Sequence, residues 1–184
     1  MHGYKSWQES ERRKSQDPEA ILLKAGLKPG MSLVDIGCGQ GYFAIPATKI
    51  AGKSGRVYGI DIDEEGIEAL NDRASREGLE NIKTFTGRAE DTLPCEGCAD
   101  LVFFGICLHD FQDPSRVLEN AKRMLKPSGI LVDLDWKKLH MEDGPPYEIR
   151  FSEDKASKLM RDAGFSIRSS EDLGPNYYLV IARK

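Results

Sequence analysis

The stretch at residues 32–63 constrains the fold of this chain more than any other part of the sequence. It begins with a short apolar run at 32–36, continues through glycines at alternate positions 37, 39 and 41, and enters a helical pattern at Tyr42. A glycine-rich turn then leads to a second apolar run at 56–60, which ends beside Asp61. A strand, a glycine loop, a helix and a second strand in this order predict two parallel strands, because a helical crossover joins them.

The three glycines predict a ligand-binding loop at the end of the first strand. Glycines let the backbone turn tightly and bring its amide groups close to a ligand, where a Cβ would hold the ligand away. An acid at the end of the next strand, roughly 20 residues on, accepts hydrogen bonds from ribose hydroxyls in sites of this type, and Asp61 occupies that place. A dinucleotide site favours a further glycine at position 42, where this chain has Tyr42, so the sequence argues against a pyrophosphate-binding loop.

Residues 34–43, VDIGCGQGYF, resemble motif I of the class I S-adenosylmethionine-dependent methyltransferases. The resemblance implies that Asp35 helps to hold the amino-acid end of S-adenosylmethionine and that the glycine loop passes under the adenosine and methionine portions. The chemistry of the ligand is consistent with this, because its ammonium and sulfonium groups suit carboxylates and carbonyl dipoles better than a phosphate-binding loop does. The cofactor-binding residues that follow from this part of the chain are Asp35, Gly37, Cys38, Gly39, Gly41, Phe43, Asp61 and Ile62.

A second segment, residues 87–94, is similar to the adenine-contacting segment of the same family, which usually reads G-D-A-E-D-L-P. Here Arg88 replaces the usual acid and Thr92 is an additional residue. Glu90 becomes the first choice as acceptor for the adenine amino group, with the Ala89 backbone amide facing a ring nitrogen. The alternative for each side chain is an acidic, solvated turn.

The segment after the apolar run at 99–104 carries the candidate catalytic residues. It emerges at the carboxyl edge of the predicted sheet, where open α/β sheets bind ligands, so Gly105 and Ile106 join the candidate cofactor-binding residues. Residues 108–114, LHDFQDP, resemble the L-H-x-x-x-D-P segment common among small-molecule methyltransferases. His109 and Asp110 are the adjacent titratable pair at this edge and are the candidates for catalysis. The alternative is that His109 caps the next helix or packs against the N-terminal arm.

Cys95 and Cys98 form a Cys-x-x-Cys pattern, with Cys107 and His109 as the nearest further metal ligands in the sequence. The strand between the two pairs separates its ends by roughly 20 Å, whereas the ligands of one zinc lie only ~2 Å from the metal. A redox pair favours a cysteine at the start of a helix, and residues 94–97 are typical of a turn. We therefore predict no metal site and interpret the cysteines as small apolar residues in a reducing compartment.

Strand and helix patterns alternate along the chain and predict an α/β fold. The fold class is a doubly wound, mostly parallel seven-stranded sheet with an antiparallel last strand and helices on both faces, which is also the Rossmann-like fold that the resemblance implies. Six residues between the last two strands are too few for a crossover helix. The predicted strands lie at 32–36, 56–60, 81–86, 99–104, 130–136, 165–170 and 177–182.

The length of the chain favours a single domain at residues 17–184, and its charge bears on the partners of that domain. With 26 basic and 30 acidic side chains the net charge is −4, so no overall positive field draws the chain to nucleic acid or to an anionic membrane. No apolar run approaches the ~18 residues that a membrane-spanning helix needs, and the start lacks a signal-peptide pattern, so a cytoplasmic location is expected. The chain has little room for a recognition domain, with no insertion longer than the polar stretch 137–150, which favours a small-molecule acceptor.

The sequence therefore predicts an S-adenosylmethionine-dependent methyltransferase that acts on a small molecule. Methyl transfer from a sulfonium needs mainly alignment in a closed, dry pocket, and a general base only where the acceptor must lose a proton early. A non-catalytic S-adenosylmethionine-binding protein and, less favoured, an NAD(P)-dependent oxidoreductase are the alternatives. The oligomeric state is left open.

The N-terminal arm, residues 1–16, is the least regular part of the sequence. We hypothesise that it folds over the ligand pocket and contributes His2, Tyr4 or Trp7 to a lid, since aromatic residues are unusual in a purely solvated tail. Its removal would then leave folding cooperative, weaken cofactor binding modestly and reduce turnover. A disordered terminus is the alternative, and the lid would then lie at 137–150.

Overall fold

The fold is described by a computed structural model that covers residues 9–184, with side chains from Arg12 onwards. Two helices come first in the described part of the chain. Helices and strands then alternate, except that the third and fourth strands, like the last two, follow each other with no helix between them. A short 3-10 helix lies at Leu108–Asp110. The elements in chain order are α1 (Glu9–Ser15), α2 (Pro18–Lys24), β1 (Ser32–Ile36), α3 (Ala44–Ala51), β2 (Arg56–Asp61), α4 (Glu64–Arg76), β3 (Ile82–Thr86), β4 (Ala99–Gly105), α5 (Pro114–Met124), β5 (Leu125–Trp136), α6 (Glu153–Asp162), β6 (Ser166–Leu173) and β7 (Tyr177–Arg183).

The strands form one seven-stranded sheet in the order β3-β2-β1-β4-β5-β7-β6, which confirms the predicted fold class. Strands β1 to β5 pair in parallel, and β7 is antiparallel to both β5 and β6. The chain moves outward from β1 to β3 on one side and then returns to place β4 against the other side of β1. The direction of winding therefore reverses between β1 and β4, and ligands of doubly wound sheets bind at the carboxyl ends of such a pair.

Apolar side chains on both faces of the sheet hold the helices in place. Along β4, Leu101 and Phe103 pack with α2, α3 and α4, whereas Val102 and Phe104 pack with α5 and α6. All four of these side chains are fully buried. A strand covered on both faces has no solvent side, which explains why β4 reads as a continuous apolar run.

Two strands differ from the predicted boundaries. The turn-like residues 126–129 were predicted to precede β5, but β5 begins at Leu125 and contains them as a bulge, because Ala99 pairs with Leu125 and Leu101 with Ile130. Lys126 Nζ lies 2.8 Å from Asp100 Oδ1 and fixes the bulge against β4. Strand β6 extends to Leu173 rather than ending at residue 170, since the hairpin to β7 needs only residues 174–176.

The interpretation of Cys95 and Cys98 as separate small apolar residues is wrong, because the structure joins them in a disulfide. The disulfide closes the turn before β4, at the amino end of that strand, with Cys98 N donating to Met124 O at 2.9 Å. In residues 9–184 no group of three or more His, Cys, Asp or Glu side chains is arranged to hold a metal ion. Within the same part of the chain, no helix is both long enough and apolar enough to cross a membrane.

Candidate active site

A cavity of about 1150 Å³ opens at the carboxyl ends of β1, β4 and β5. Its first wall is the glycine loop between Gly37 and Phe43, and its second is the segment between Gly105 and Asp110. The loop after β5 and the beginning of β7 add Trp136, residues 142–145 and Tyr177, whereas α1 and α4 reach the cavity from outside the sheet. The cavity therefore occupies the place that the strand order favours for a ligand.

The glycine loop has a backbone that side chains would not permit. Gly37 has φ +75° and Gly41 has φ +89°, both in the left-handed region. A Cβ at Gly41 would lie 2.4 Å from Leu70 Cδ1 of α4, and one at Gly37 would lie 2.9 Å from the Cys107 side chain. The loop is thus held between α4 and the segment after β4, with its backbone along the cavity.

Asp61 fixes the middle of this loop. Its Oδ2 accepts a hydrogen bond from Gly39 N at 2.7 Å, and its Oδ1 accepts one from Asp63 N at 2.9 Å. Each carboxylate oxygen has a second lone pair, so hydrogen bonds from ribose hydroxyls are compatible with these contacts. The next residue, Ile62, is 61% exposed, so its side chain is accessible for contact with a flat ring.

Asp35 lies beneath the loop and is only 1% exposed. Its Oδ2 has no hydrogen-bond partner among the residues that the structure describes. Burial, followed by the nearby charge of Asp61, raises the pKa of Asp35 to about 7, although the charge of Arg12 and the Ala44 amide act in the opposite direction. A buried carboxyl group with an unpartnered oxygen is costly unless a cation joins it, so this residue fits the ammonium group of S-adenosylmethionine.

The segment that resembles the adenine-contacting motif does not line the cavity. Its residues Arg88, Ala89 and Glu90 are absent from the lining, and so are four other candidate cofactor-binding residues, which lie in and around the glycine loop: Asp35, Gly41, Asp61 and Ile62. Glu90 Oε1 lies 3.3 Å from an Arg88 guanidinium nitrogen and accepts from Asp113 N at 3.4 Å, while Arg88 donates to Gln112 Oε1 at 3.2 Å. The carboxylate chosen from the sequence as the adenine acceptor is therefore engaged within the chain, beside the start of α5.

Gly105 and Ile106 lie in the cavity wall. A Cβ at Gly105 would lie 2.7 Å from the Phe43 ring, so the strand passes close to the end of the glycine loop. Ile106 has φ +66°, a conformation that costs a β-branched residue roughly 1–3 kcal/mol and that clusters at functional sites. Its backbone N donates to Leu134 O at 2.7 Å, which holds this conformation against β5.

His109 and Asp110 are brought together with a third residue that the sequence did not indicate, Asp135. His109 Nδ1 lies 2.8 Å from Asp135 Oδ2, and Nε2 lies 3.5 Å from Asp110 Oδ1. Burial opposes protonation of the ring, but the hydrogen bond and charge of Asp135, with the charge of Asp110, outweigh it and raise the pKa of His109. The side chains of His109 and Asp135 are 1% exposed and that of Asp110 is 45% exposed, so Asp110 is the member that faces an incoming molecule.

Helix α1 and the residue that follows it place Arg12 and Gln16 in the cavity lining. The Arg12 guanidinium carbon lies 3.9 Å from the centroid of the Tyr42 ring, and its Nε donates to Gln16 Oε1 at 2.9 Å. The Tyr42 hydroxyl donates to the Gln16 carbonyl, which ties the glycine loop to the end of α1. The proposed lid residues His2, Tyr4 and Trp7 lie outside the described residues.

The irregular loop at 137–150 is organised by Arg150, which is 3% exposed. Its guanidinium donates to the carbonyl oxygens of Pro145 at 2.7 Å, Asp143 at 2.7 Å and Leu139 at 2.9 Å. The guanidinium carbon lies 5.5 Å from the Trp136 ring centroid. These contacts position residues 142–145 as the cavity wall opposite the glycine loop.

The comparisons with known proteins agree with this geometry. A family model described as a methyltransferase domain matches residues 27–164. The crystal structure of a SAM-dependent methyltransferase from Aquifex aeolicus is 30% identical in sequence, with a TM-score of 0.87, and the match covers 97% of this chain and 99% of that one. The chain therefore belongs to the methyltransferase domain family, with the fold of the class I enzymes, and its cofactor is S-adenosylmethionine.

Relatives that are named for a particular substrate match this chain over only part of their length. A demethylmenaquinone methyltransferase from Staphylococcus aureus is 33% identical over 116 residues, which are 62% of this chain and 47% of the relative. A protein of the same name from Geobacillus stearothermophilus is 28% identical over 126 residues, 68% of this chain and 54% of the relative. The chain thus spans about half the length of these relatives.

Proposed function

We propose that the chain transfers the methyl group of S-adenosylmethionine to a small-molecule acceptor that binds in the same cavity. The observation that carries this proposal is that the cavity continues beyond the cofactor-binding residues. Its other half is formed by Asp110, Trp136, Tyr177 and residues 142–145. Ligand pockets usually measure roughly 300–1,000 Å³, so a cavity of about 1150 Å³ has room for a cofactor and a small acceptor.

The residues of the first half would hold the cofactor. Asp35 would meet its ammonium group and Asp61 its ribose hydroxyls, while Ile62 would contact the adenine ring. The loop residues Gly37, Cys38, Gly39, Gly41 and Phe43, with Gly105 and Ile106, would support the remainder. When bound, the cofactor supplies an activated methyl group whose leaving group is neutral.

The residues of the second half would align the acceptor and exclude water. Asp110 is the exposed carboxylate beside the acceptor and would accept a hydrogen bond, or a proton, from the atom that becomes methylated. His109, buried behind it, would hold Asp110 in position, with Asp135 fixing the orientation of the imidazole ring. This division of roles follows the exposure of the three side chains.

Two features support the choice of a small acceptor. The relatives from Staphylococcus aureus and Geobacillus stearothermophilus are named for methylating demethylmenaquinone, a small molecule. The net charge of −4 gives no general attraction to nucleic acid. A cytoplasmic location, where S-adenosylmethionine and such acceptors would be supplied, is part of the proposal.

Calorimetry with S-adenosylhomocysteine and with NAD tests the cofactor site. We expect S-adenosylhomocysteine to bind more tightly, and Asp61→Ala to weaken it by ~1.5–3 kcal/mol through lost charge-assisted hydrogen bonds. Asp63→Ala is the matched control, because Asp63 contacts Asp61 through its backbone N, whereas the Asp61 side chain holds the glycine loop at Gly39. Equal binding of NAD would favour an oxidoreductase instead.

A thermal-shift screen of acceptors on the protein saturated with S-adenosylhomocysteine tests the second half of the cavity. Acceptors that stabilise the protein are then incubated with S-adenosylmethionine, and methylated product is measured by mass spectrometry. Tight cofactor binding with no acceptor and no product would support a non-catalytic binding protein.

A further inference from the structure

We propose that Arg12 binds the carboxylate of the cofactor, so that Arg12 and Asp35 together hold both charges of its amino-acid end. This inference rests on the proposed function, because it assumes S-adenosylmethionine at the glycine loop. The amino-acid end of that molecule carries an ammonium group and a carboxylate on one carbon atom. A complementary site therefore needs a negatively charged and a positively charged side chain close to each other.

Arg12 is held at the end of the glycine loop. Its guanidinium carbon lies 3.9 Å from the centroid of the Tyr42 ring and 5.5 Å from that of Phe43. The hydrogen bond from Nε to Gln16 Oε1 fixes the plane of the group. A guanidinium presents its donors as a rigid fork that matches a carboxylate, so an arginine fixed in this way is suited to bind one.

Tyr42 explains why the arginine lies there. The cation is placed over the face of the tyrosine ring, an attraction worth roughly 0.5–2 kcal/mol. The tyrosine hydroxyl in turn donates to the Gln16 carbonyl, so the same side chain contacts both Arg12 and the end of α1. Tyr42, which occupies the place where a dinucleotide-binding loop has a glycine, thus helps to position Arg12.

The charge of Arg12 acts on Asp35. Arg12 lowers the pKa of Asp35, and its guanidinium lines the cavity at the glycine loop, which directly follows the strand that carries Asp35. The other arginines that line the cavity, Arg73 and Arg76, are not among the groups that affect Asp35. Arg73 also pairs with Glu77 at 3.1 Å. Of the three arginines, Arg12 is therefore the one placed to act with Asp35.

Calorimetry with two ligands separates this role from a general effect on the fold. The first ligand is S-adenosylhomocysteine and the second is its decarboxylated analogue, which keeps the amine but lacks the carboxylate. We expect Arg12→Gln to weaken the first by about tenfold to a hundredfold and to change the second less than about twofold. Arg12→Lys, which keeps the charge but not the fork, should recover part of the loss.

Arg13→Gln is the matched control, because Arg13 is the next residue of the same helix, pairs with Glu19 at 2.9 Å and does not line the cavity. It should leave both affinities unchanged. Equal weakening of both ligands by Arg12→Gln would overturn the proposal, and so would a carboxylate-dependent loss in Arg73→Gln but not in Arg12→Gln. If the wild-type protein binds neither ligand, the proposed function fails, and this inference fails with it.

Discussion

At the residue scale, Asp35 is proposed to bind the cofactor, but its burial lowers the stability of the ligand-free protein. Its carboxyl group is fully enclosed and has an oxygen without a partner in the described part of the chain. Its pKa is raised from 3.8 to about 7, so in that pH range the folded state keeps a proton that the unfolded chain has lost. The contribution of this group to the free energy of unfolding therefore falls as pH rises from about 4 to about 7.

Asp35→Asn should stabilise the ligand-free protein most at high pH. Asparagine resembles the protonated acid in shape but cannot ionise, so the cost of burying the charge disappears. We expect the gain in unfolding free energy to be about 2–3 kcal/mol larger at pH 8 than at pH 5. Chemical denaturation at the two pH values measures it, and calorimetry should show that S-adenosylhomocysteine binding is largely lost. Asp63→Asn serves as the control, and an equal effect of Asp35→Asn at both pH values would contradict the role assigned to burial.

The sequence predicted the backbone positions of residues whose type is dictated by a turn or a strand end. Gly37 and Gly41 have left-handed conformations after β1, and Asp61 ends β2, whereas their contact with the cofactor stays a prediction. Asp135 was missed since its partner His109 lies 26 residues away, and only the pairing of β4 with β5 brings them together. The signal available was an acid at alternate positions, 133 and 135, within an apolar strand.

At the scale of elements, the sequence predicted the strands well where apolar runs were clear, and Asp-Pro pairs mark the starts of two helices. Helix α2 begins at Pro18 with Asp17 as its N-cap, and α5 begins at Pro114 with Asp113 as its N-cap. The start of β5 was missed because residues 126–129 have the composition of a turn. Their place in the sheet depends on the Lys126–Asp100 pair, a contact between two strands that no local pattern reveals.

Arg150 should control the loop at 137–150 as a single element. The loop lacks regular structure, and its carbonyl oxygens are held by the Arg150 guanidinium. A lysine at this position keeps the charge, but its single ammonium group cannot replace a planar guanidinium that donates to three carbonyl oxygens at once. We expect Arg150→Lys to speed hydrogen exchange in the loop and raise the acceptor KM by about tenfold or more, in line with the loss of one to two charge-assisted hydrogen bonds.

The affinity for S-adenosylhomocysteine distinguishes a local effect of Arg150→Lys on the loop from unfolding of the whole protein. Because the hydrogen bonds of Arg150 described above go to the 137–150 loop, the affinity for S-adenosylhomocysteine should change little in Arg150→Lys. Arg161→Lys, on the exposed face of α6, is the matched control and should behave as the wild type. A large loss of S-adenosylhomocysteine affinity with an unchanged loop would show that Arg150 acts elsewhere.

At the scale of the whole molecule, the strand order divides the cavity between two parts of the chain. In the proposed function, elements up to β2, with Gly105 and Ile106 at the end of β4, hold the cofactor, whereas Asp110, the end of β5, the start of β7 and the 137–150 loop form the acceptor side. The two parts meet where β1 pairs with β4, and Phe43 contacts Gly105 across that junction. Helix α1 lies outside the sheet and approaches the cavity through Arg12 and Gln16, so it can close the site without being part of the core.

Removing residues 1–16 should therefore separate closure of the site from folding. All seven strands and the N-cap of α2 remain, so unfolding should stay cooperative with a slope against denaturant close to that of the full chain. The deletion removes Arg12, so S-adenosylhomocysteine should bind at least as weakly as it does to Arg12→Gln, and turnover should fall further because water enters the site.

A shorter deletion of residues 1–8 identifies which part of the arm acts as the lid. It removes His2, Tyr4 and Trp7 but keeps α1. If this variant is as active as the full chain, closure is assigned to α1. If it is only as active as the longer deletion, closure is assigned to the aromatic residues. Calorimetry and single-turnover assays on the three proteins make the comparison. If the longer deletion binds and turns over as the full chain does, the arm has no role in closure. The lid must then be formed by the 137–150 loop, whose order Arg150 controls.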